Sequence, residues 1–151
     1  MTASIIRPAS SADWPAVERI VRAAYTKYVA RIGKPPGPMN DDYAARIAQQ
    51  AVWLLIASGE IAGILVLLEE DDHLLLDNVA VDPRHQGKGI GRALIDFAEQ
   101  EARRRGHAEI RLYTHQAMHE NIVLYPRLGY EETGRGEQAG FQRVFFRKIL
   151  R

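Results

Sequence analysis

The chain has 151 residues, enough for one domain (residues 1–151) that buries a sizeable hydrophobic core. Its formal net charge of +1 argues against a dedicated nucleic-acid-binding protein, which usually carries a strong basic excess. Cysteine is absent, which excludes disulfides, thiolate metal ligands and a cysteine nucleophile, and which fits the reducing cytoplasm where we expect this protein.

The first third of the chain predicts a strand, two helices and a stiff loop between the helices. Ser4–Pro8 is a short apolar strand that ends at its proline, and a serine-capped helix with apolar residues at helical spacing follows to about Val29. The segment Arg31–Met39 contains three prolines and two glycines, so it is predicted to be an irregular loop. A helix capped by Asn40 or Asp41 then extends to about residue 50.

The middle of the chain predicts a hairpin followed by a third apolar strand. Val52–Ala57 and Ile61–Leu68 flank a Ser-Gly turn, and Leu74–Val81 follows an acidic turn. Because the hairpin is almost continuously apolar, we expect helices on both faces of its sheet. The run at 61–68 is far shorter than the roughly 20 residues that span a bilayer, so no membrane segment is expected.

The last part predicts two helices and three strands. An amphipathic helix begins at Ile90 and ends at Gly106, and the alternating run Ala108–Tyr113 is a strand. Met118–Leu128 is a helix, and residues 130–133 and 142–150 are strands. The order β α α β β β α β α β β predicts an α/β or α+β sandwich on a mixed sheet.

A glycine-rich basic turn lies between the strand at 74–81 and the helix at 90. Glycines here allow the backbone to approach a ligand, and N–H groups at a helix start have no intrahelical partner. Such a turn is typical of an anion site, above all for a phosphate. The N–H groups predicted to face the anion belong to Gly87, Gly89, Gly91 and Arg92, and the added positive charges are Arg84, Lys88 and Arg92.

Two common phosphate-binding motifs do not fit this turn. A Walker A loop requires Gly-Lys-Ser or Gly-Lys-Thr, but Lys88 is followed by Gly89. A dinucleotide fingerprint counted from Gly87 places Arg92 at its third glycine. The turn therefore belongs to another class of phosphate-ligand protein.

Two runs resemble the motifs of the GNAT N-acetyltransferase superfamily. Val79–Gly91 is similar to its central motif, with Gln86, Gly89 and Gly91 at the defining positions. Glu120–Tyr130 looks like its second motif, and the whole chain fits the element order. The resemblance implies a GNAT-type acyl-CoA N-acyltransferase fold, with a mixed sheet of about seven strands and about four helices.

The family resemblance also implies a cosubstrate, acetyl-CoA. The glycine turn would bind its pyrophosphate, and the pantetheine arm would enter a gap between the strand at 74–81 and the strand at 108–114, paired with main-chain groups of Val79 and Val81. The implied contacts are Val79, Ala80, Val81, Arg84, Gln86, Gly87, Lys88, Gly89, Ile90, Gly91, Arg92, Asn121 and Tyr125.

The implied chemistry is direct transfer of the acetyl group to a primary amine without an acyl-enzyme. Tyr125 matches the family tyrosine that protonates the departing thiolate. Pro126 departs from the family pattern and is predicted to break or kink the helix at that point. Asp77 interrupts an apolar strand and is the first candidate for the base, with His115 as the second.

The acceptor would be an amine of a small molecule, peptide or protein. By analogy with the family, Tyr28 and Met39 are predicted to line the acceptor cleft beside His115. No metal is expected, because His115 and His119 share no helical face and lack a third ligand. Two alternatives remain open, a non-catalytic acyl-CoA-binding sensor on the same fold and an enzyme for another phosphate ligand.

The C-terminal aromatic residues leave a further choice open. They form either part of the core or a homodimer surface. They are Phe141, Phe145 and Phe146.

Overall fold

A seven-stranded mixed sheet with four helices organises the computed structural model, which describes residues 4–151. The strands are β1 (Ile5–Pro8), β2 (Val52–Ala57), β3 (Glu60–Glu69), β4 (Leu74–Val81), β5 (Glu109–His115), β6 (Glu131–Gln138) and β7 (Phe141–Ile149). The helices are α1 (Trp14–Ile32), α2 (Tyr43–Ala48), α3 (Ile90–Arg104) and α4 (His119–Arg127). The strand order is β1-β2-β3-β4-β5-β7-β6, and β4 and β5 are its parallel pair.

Helices cover both faces of the sheet, as the apolar hairpin predicts. On one face α3 packs on β3, β4 and β5, and on the other α1 packs on β3 and β4 while α2 packs on β2. α3 approaches β3 closely at Gly63. A Cβ there would lie 2.9 Å from Ile90 Cγ2 and 2.9 Å from Leu94 Cδ1. The absent side chain of Gly63 therefore sets how deeply the first turns of α3 sit on the sheet.

Several predicted boundaries are wrong by a few residues. α1 continues to Ile32 and ends at Gly33, whose φ of +88° suits glycine and whose N–H donates to the Val29 carbonyl at 2.8 Å. The predicted loop therefore begins later and includes a 3-10 turn at Gly37–Asn40. The cap of α2 is Asp42, which accepts from the Ala45 N–H at 3.0 Å.

The sheet opens between β4 and β5. The two strands pair only at the start, where Leu76 lies opposite Leu112, and no pairing follows up to Val81 within the described chain. A β-bulge also distorts β4 at this point. The consecutive β3 residues Val66 and Leu67 lie opposite Asn78 and Leu76, so Asp77 has no partner residue on β3. One edge of β4 is therefore left open from Asp77 to Val81, at the predicted gap. Within residues 4–151, the helices are too short or too polar to cross a membrane.

Candidate active site

The glycine turn joins the open end of β4 to α3. The buried carboxylate of Asp82 accepts from the Arg84 N–H at 3.0 Å and closes a short 3-10 turn. Gly87 and Gly89 then have φ values of +80° and +76°, and Gly89 is the N-cap of α3. A Cβ on either glycine would meet no protein atom within 4 Å, so the backbone faces open space. Gly91 already lies inside α3, so only two of the three glycines form the turn.

The three cations of the turn have different surroundings. Arg84, predicted to face the anion, lies instead against Asp82 at 3.1 Å and within 4.0 Å of Glu60. Although burial opposes it, hydrogen bonds from Arg84 and Arg19 lower the pKa of Asp82 to about 2. Lys88 and Arg92 are exposed and form no ion pair with residues 4–151. Arg84 therefore braces the turn, and the unneutralised charge at the start of α3 comes from the other two.

The opening between β4 and β5 forms a cleft of about 550 Å³ including its mouth. It brings together five of the predicted site residues from three elements, β4, β5 and α4. These are Asp77, Val79, His115, Asn121 and Tyr125. The rest of its wall includes Pro36, Gly37 and Pro38 from the proline loop, together with Tyr25, Asn78, Tyr113, Thr114, Met118, Phe141 and Arg143.

Asp77 lies at the bulge of β4 and accepts a hydrogen bond from the Tyr113 hydroxyl at 2.9 Å. Burial raises the pKa of Asp77, and the hydrogen bond from Tyr113 opposes that shift. Tyr113 was not predicted as a site residue. Because Leu76 lies opposite Leu112, the next residues along the parallel strands are neighbours, and the pairing follows from that register.

Tyr125 lines the cleft from α4. Its ring packs against Tyr130 and Phe146, with centroids 5.8 Å and 5.7 Å away. Its hydroxyl has no hydrogen-bond partner among the described residues, and burial raises the pKa of the phenol. Pro126 does not break the helix, which continues to Arg127. The site thus presents a neutral phenol with a free donor.

Asn121, in the first turn of α4, connects that helix to β5. Its side-chain amide donates to the Thr114 hydroxyl at 3.1 Å, which holds α4 against the end of the strand. Asn121 also lines the cleft, where the family resemblance predicts a contact with the cofactor.

A buried polar chain that was not predicted connects the cleft to the proline loop. The Tyr25 hydroxyl donates to Asn78 Oδ1 at 2.6 Å, and Asn78 Nδ2 donates to the Tyr43 hydroxyl at 2.8 Å. Tyr43 in turn donates to the Pro38 carbonyl at 2.6 Å. Asn78 is 4% exposed, so each of these groups depends on the others for a partner. Like Asp77, Asn78 is a polar residue in an apolar strand, and this was the feature of the sequence that could have identified Asn78 as a site residue.

His115 lines the cleft but is poorly arranged as a base. Its Nδ1 accepts from the Ala117 N–H at 2.9 Å, so the basic lone pair of the neutral ring is already used. Burial, together with the charges of Lys34 and Arg143, lowers the pKa of His115. The carboxylate of Asp77 is therefore the better placed acceptor of a proton.

The other two predicted acceptor residues lie outside this cleft. Tyr28 is buried behind the wall, with its ring 6.1 Å from that of Tyr25. Met39 packs against α1 and Tyr43, because the 3-10 turn directs its side chain away from β4. The loop contributes Pro36, Gly37 and Pro38 instead. The proline loop therefore lines the cleft without Tyr28 or Met39, and its contact with the acceptor stays a prediction.

Comparison with known proteins agrees with this architecture. The profile of the Acetyltransferase (GNAT) family matches residues 14–130, and the chain therefore belongs to that family. The sequence is 35% identical over 78 residues to an Escherichia coli (strain K12) [Ribosomal protein bS18]-alanine N-acetyltransferase, covering 52% of this chain and 53% of the relative. It is 32% identical over 88 residues to N-acetyltransferase family 8 member 3 of Rattus norvegicus, covering 54% and 39%. These alignments thus span about half or less of each relative.

A solved structure shows the same fold over nearly the whole chain. The PaiA N-acetyltransferase of Thermoplasma acidophilum, crystallised in complex with coenzyme A, superposes with a TM-score of 0.80 at 18% identity, covering 97% of this chain and 99% of that one. The predicted GNAT-type fold is confirmed.

Proposed function

We propose that this protein transfers the acetyl group of acetyl-CoA directly to a primary amine. One observation carries the proposal: the sheet opens between β4 and β5 into a cleft with Asp77 on one wall and the free phenol of Tyr125 on another. Membership of the GNAT family supports it, as do relatives named N-acetyltransferases and a structural neighbour bound to coenzyme A.

The cosubstrate fits the described surface in two places. Gly87 and Gly89 have open surroundings at the start of α3, beside Lys88 and Arg92, and N–H groups at a helix start suit a diphosphate. The open edge of β4 offers main-chain groups to the amide-containing pantetheine arm, although the Val79 carbonyl also lies 3.2 Å from the Tyr25 hydroxyl.

In the proposed reaction, Asp77 takes a proton from the acceptor ammonium, directly or through a water. The amine nitrogen then attacks the thioester carbonyl and the C–N bond forms. As the C–S bond breaks, the nitrogen releases its second proton to solvent. Tyr125 gives its proton to the leaving thiolate, and solvent later restores both groups. The raised pKa of Asp77 favours this role, because a stronger base is better matched to an ammonium.

The cellular location, the oligomeric state and the acceptor of the protein are also proposals. The absence of cysteine supports a cytoplasmic location. Phe146 is part of the core, whereas Phe141 and Phe145 are half-buried. A homodimer through the C-terminal aromatic strand would therefore involve Phe141 and Phe145. The acceptor is proposed to be a small-molecule or peptide amine, since one relative is named for a ribosomal-protein alanine.

Thermal unfolding with acetyl-CoA, CoA, NAD and ATP tests the assignment of the cosubstrate. Acetyl-CoA at 100 times its Kd should add about 2.7 kcal/mol of stability. Gly89→Val should abolish that gain by obstructing the diphosphate. Gly59→Val is the matched control, because Gly59 has a φ of +75° and equally open surroundings but lies in the β2–β3 turn.

Stabilisation by NAD or ATP but not by CoA would contradict the proposal. So would equal retention of acetyl-CoA binding by the two glycine variants. The rival sensor function predicts binding of acetyl-CoA without turnover on any amine. An assay of CoA release over a panel of amines separates the sensor from the enzyme.

A further inference from the structure

A second cleft joins the first at Asp77. It shares Gly37, Pro38, Asp77, Tyr113 and Arg143 with the first cleft and adds Asn40, Asp41 and Arg46. It does not include Val79, Asn121 or Tyr125, so it extends away from the side proposed for the thioester. An acceptor that reaches Asp77 through this opening would contact these charged residues.

Arg143 of β7 is held rigidly at the junction of the two clefts. Its guanidinium lies 4.1 Å from the centroid of the Tyr113 ring, and Nη1 donates to Gln138 Oε1 at 2.5 Å. Its second terminal nitrogen, Nη2, lies close to Gly37 of the proline loop, since a Cβ built on Gly37 would be 3.5 Å from it. The guanidinium is thus positioned by a ring face, a side-chain amide and a loop backbone.

No carboxylate lies within 4.0 Å of Arg143 in residues 4–151. This distinguishes it from its neighbours, since Arg46 in the same cleft pairs with Asp41 at 3.1 Å and Arg147 on the same strand pairs with Glu131 at 2.7 Å. A half-buried, pre-positioned guanidinium without a counterion is suited to a carboxylate ligand, which it can bind through two parallel hydrogen bonds.

Lys34 adds a second positive charge on the same side. Its ammonium lies 4.4 Å from the centroid of the Phe141 ring and donates to the Gly140 carbonyl at 2.7 Å. It forms no ion pair with the described chain either. The positive field of Lys34 and Arg143 is felt in the cleft, where both charges contribute to lowering the pKa of His115.

On the basis of the proposed function, we propose that the acceptor is a small amino acid whose amine faces Asp77 and whose carboxylate binds Arg143. Tyr113 sets the spacing, because its hydroxyl donates to Asp77 while its ring face contacts the guanidinium. Only one phenol ring separates the two charges, so the amine and the carboxylate must be close together. The N-terminal residue of a peptide has an amide where this acceptor has its carboxylate, so it lacks the charged group that Arg143 would bind.

The test compares amino acids with their own primary amides as acceptors. Release of CoA is followed with a thiol reagent, which sees no protein background because the chain has no cysteine. The wild-type protein should prefer at least one free amino acid over its amide. Arg143→Gln should lower kcat/KM for that acid roughly 10- to 100-fold, the effect of losing a hydrogen bond to a charged group. Because the Arg143 charge also acts on Asp77, the variant affects both acceptors, but kcat/KM for the amide should fall much less, so the preference for the free acid should be lost.

Two further variants keep the test decisive. Arg147→Gln is the matched control, because Arg147 lies on the same strand but lines neither cleft, and it should retain the preference. Arg143→Lys keeps the charge and loses the planar fork, and should retain only part of it. Equal use of acids and amides by the wild-type protein, or equal losses on both in Arg143→Gln, would overturn this inference while leaving acetyl transfer intact. Absence of turnover with every amine would instead refute the proposed function and this inference with it.

Discussion

Gly63→Ala tests the connection between the packing of α3 and the proposed diphosphate site. Gly63 lies on β3 directly beneath the first turns of α3. An added methyl group would lie 2.9 Å from Ile90 Cγ2, 2.9 Å from Leu94 Cδ1 and 3.2 Å from the Ala80 carbonyl oxygen. Contacts below 3.0 Å force one of these groups to move.

The surroundings of Gly63 indicate a substantial cost. Ile90 and Leu94 are 6% and 0% exposed, so neither side chain can turn out to solvent. The Ile90 methyl is on a β-branched carbon with a stiff χ1, and the third contact is backbone. Overpacking of this kind costs about 1–3 kcal/mol, which for a domain of this size lowers Tm by roughly 2–12 °C. The simplest relief moves α3 outward and displaces Gly89 with it.

Denaturant unfolding and acetyl-CoA titration measure the two effects separately. Gly63→Ala should lower the free energy of unfolding and also weaken acetyl-CoA binding. Gly136→Ala is the control, because its added methyl group meets nothing within 4 Å and its φ is not positive, and it should change neither. The double variant Gly63→Ala/Leu94→Ala should be less destabilised than the sum of its parts, because one clash is removed.

Unchanged stability of Gly63→Ala would refute the packing argument. Loss of stability with full acetyl-CoA affinity would show that the position of α3 does not control the diphosphate site.

The remaining predictions concern the cleft. Tyr125→Phe should lower kcat about 100-fold and leave the Kd for acetyl-CoA nearly unchanged; full turnover would remove Tyr125 from the mechanism. Asp77→Asn should abolish most turnover yet raise Tm at neutral pH. The stability that protonated Asp77 contributes is present below the unfolded pKa and lost as pH rises, so this gain should disappear near pH 3. Tyr113→Phe removes the hydrogen bond that opposes the raised pKa of Asp77, so the acidic limb of the kcat/KM–pH profile should move to higher pH; an unmoved limb would exclude Asp77 as the base. Asn78→Leu removes one hydrogen bond from each of the two hydroxyls of Tyr25 and Tyr43, which keep only the carbonyls of Val79 and Pro38 as partners. The loss of these two hydrogen bonds should cost about 1–3 kcal/mol in urea unfolding and raise KM for the acceptor; wild-type values would show that the polar chain does not hold the loop.

Much of the fold was predictable because its signals are local. The strand Leu74–Val81 was predicted with its observed bounds, since an acidic turn precedes its apolar run and Asp82-Pro83 follows it. The turn after it was recognisable from glycine spacing alone. The opening of the sheet was expected only from the family resemblance, because no local pattern reports that two strands separate.

The residues that were missed depend on contacts between distant parts of the chain. The pair of Asp77 and Tyr113 follows from the register of β4 and β5, and Asn78 finds its partners on α1 and α2. The position of Arg143 depends on a strand that enters the sheet last along the chain. Met39 lies outside the cleft for a related reason, since its position depends on a 3-10 turn that the loop sequence does not specify.

The most direct test of the central claim is acceptor-dependent release of CoA from acetyl-CoA over a panel of amines. With at least one primary amine, the protein should release CoA thiol and form the acetylated amine in equal amounts. Asp77→Asn and Tyr125→Phe should both reduce the rate and still bind acetyl-CoA. Tight binding of acetyl-CoA with no release on any amine would contradict catalysis and favour a sensor.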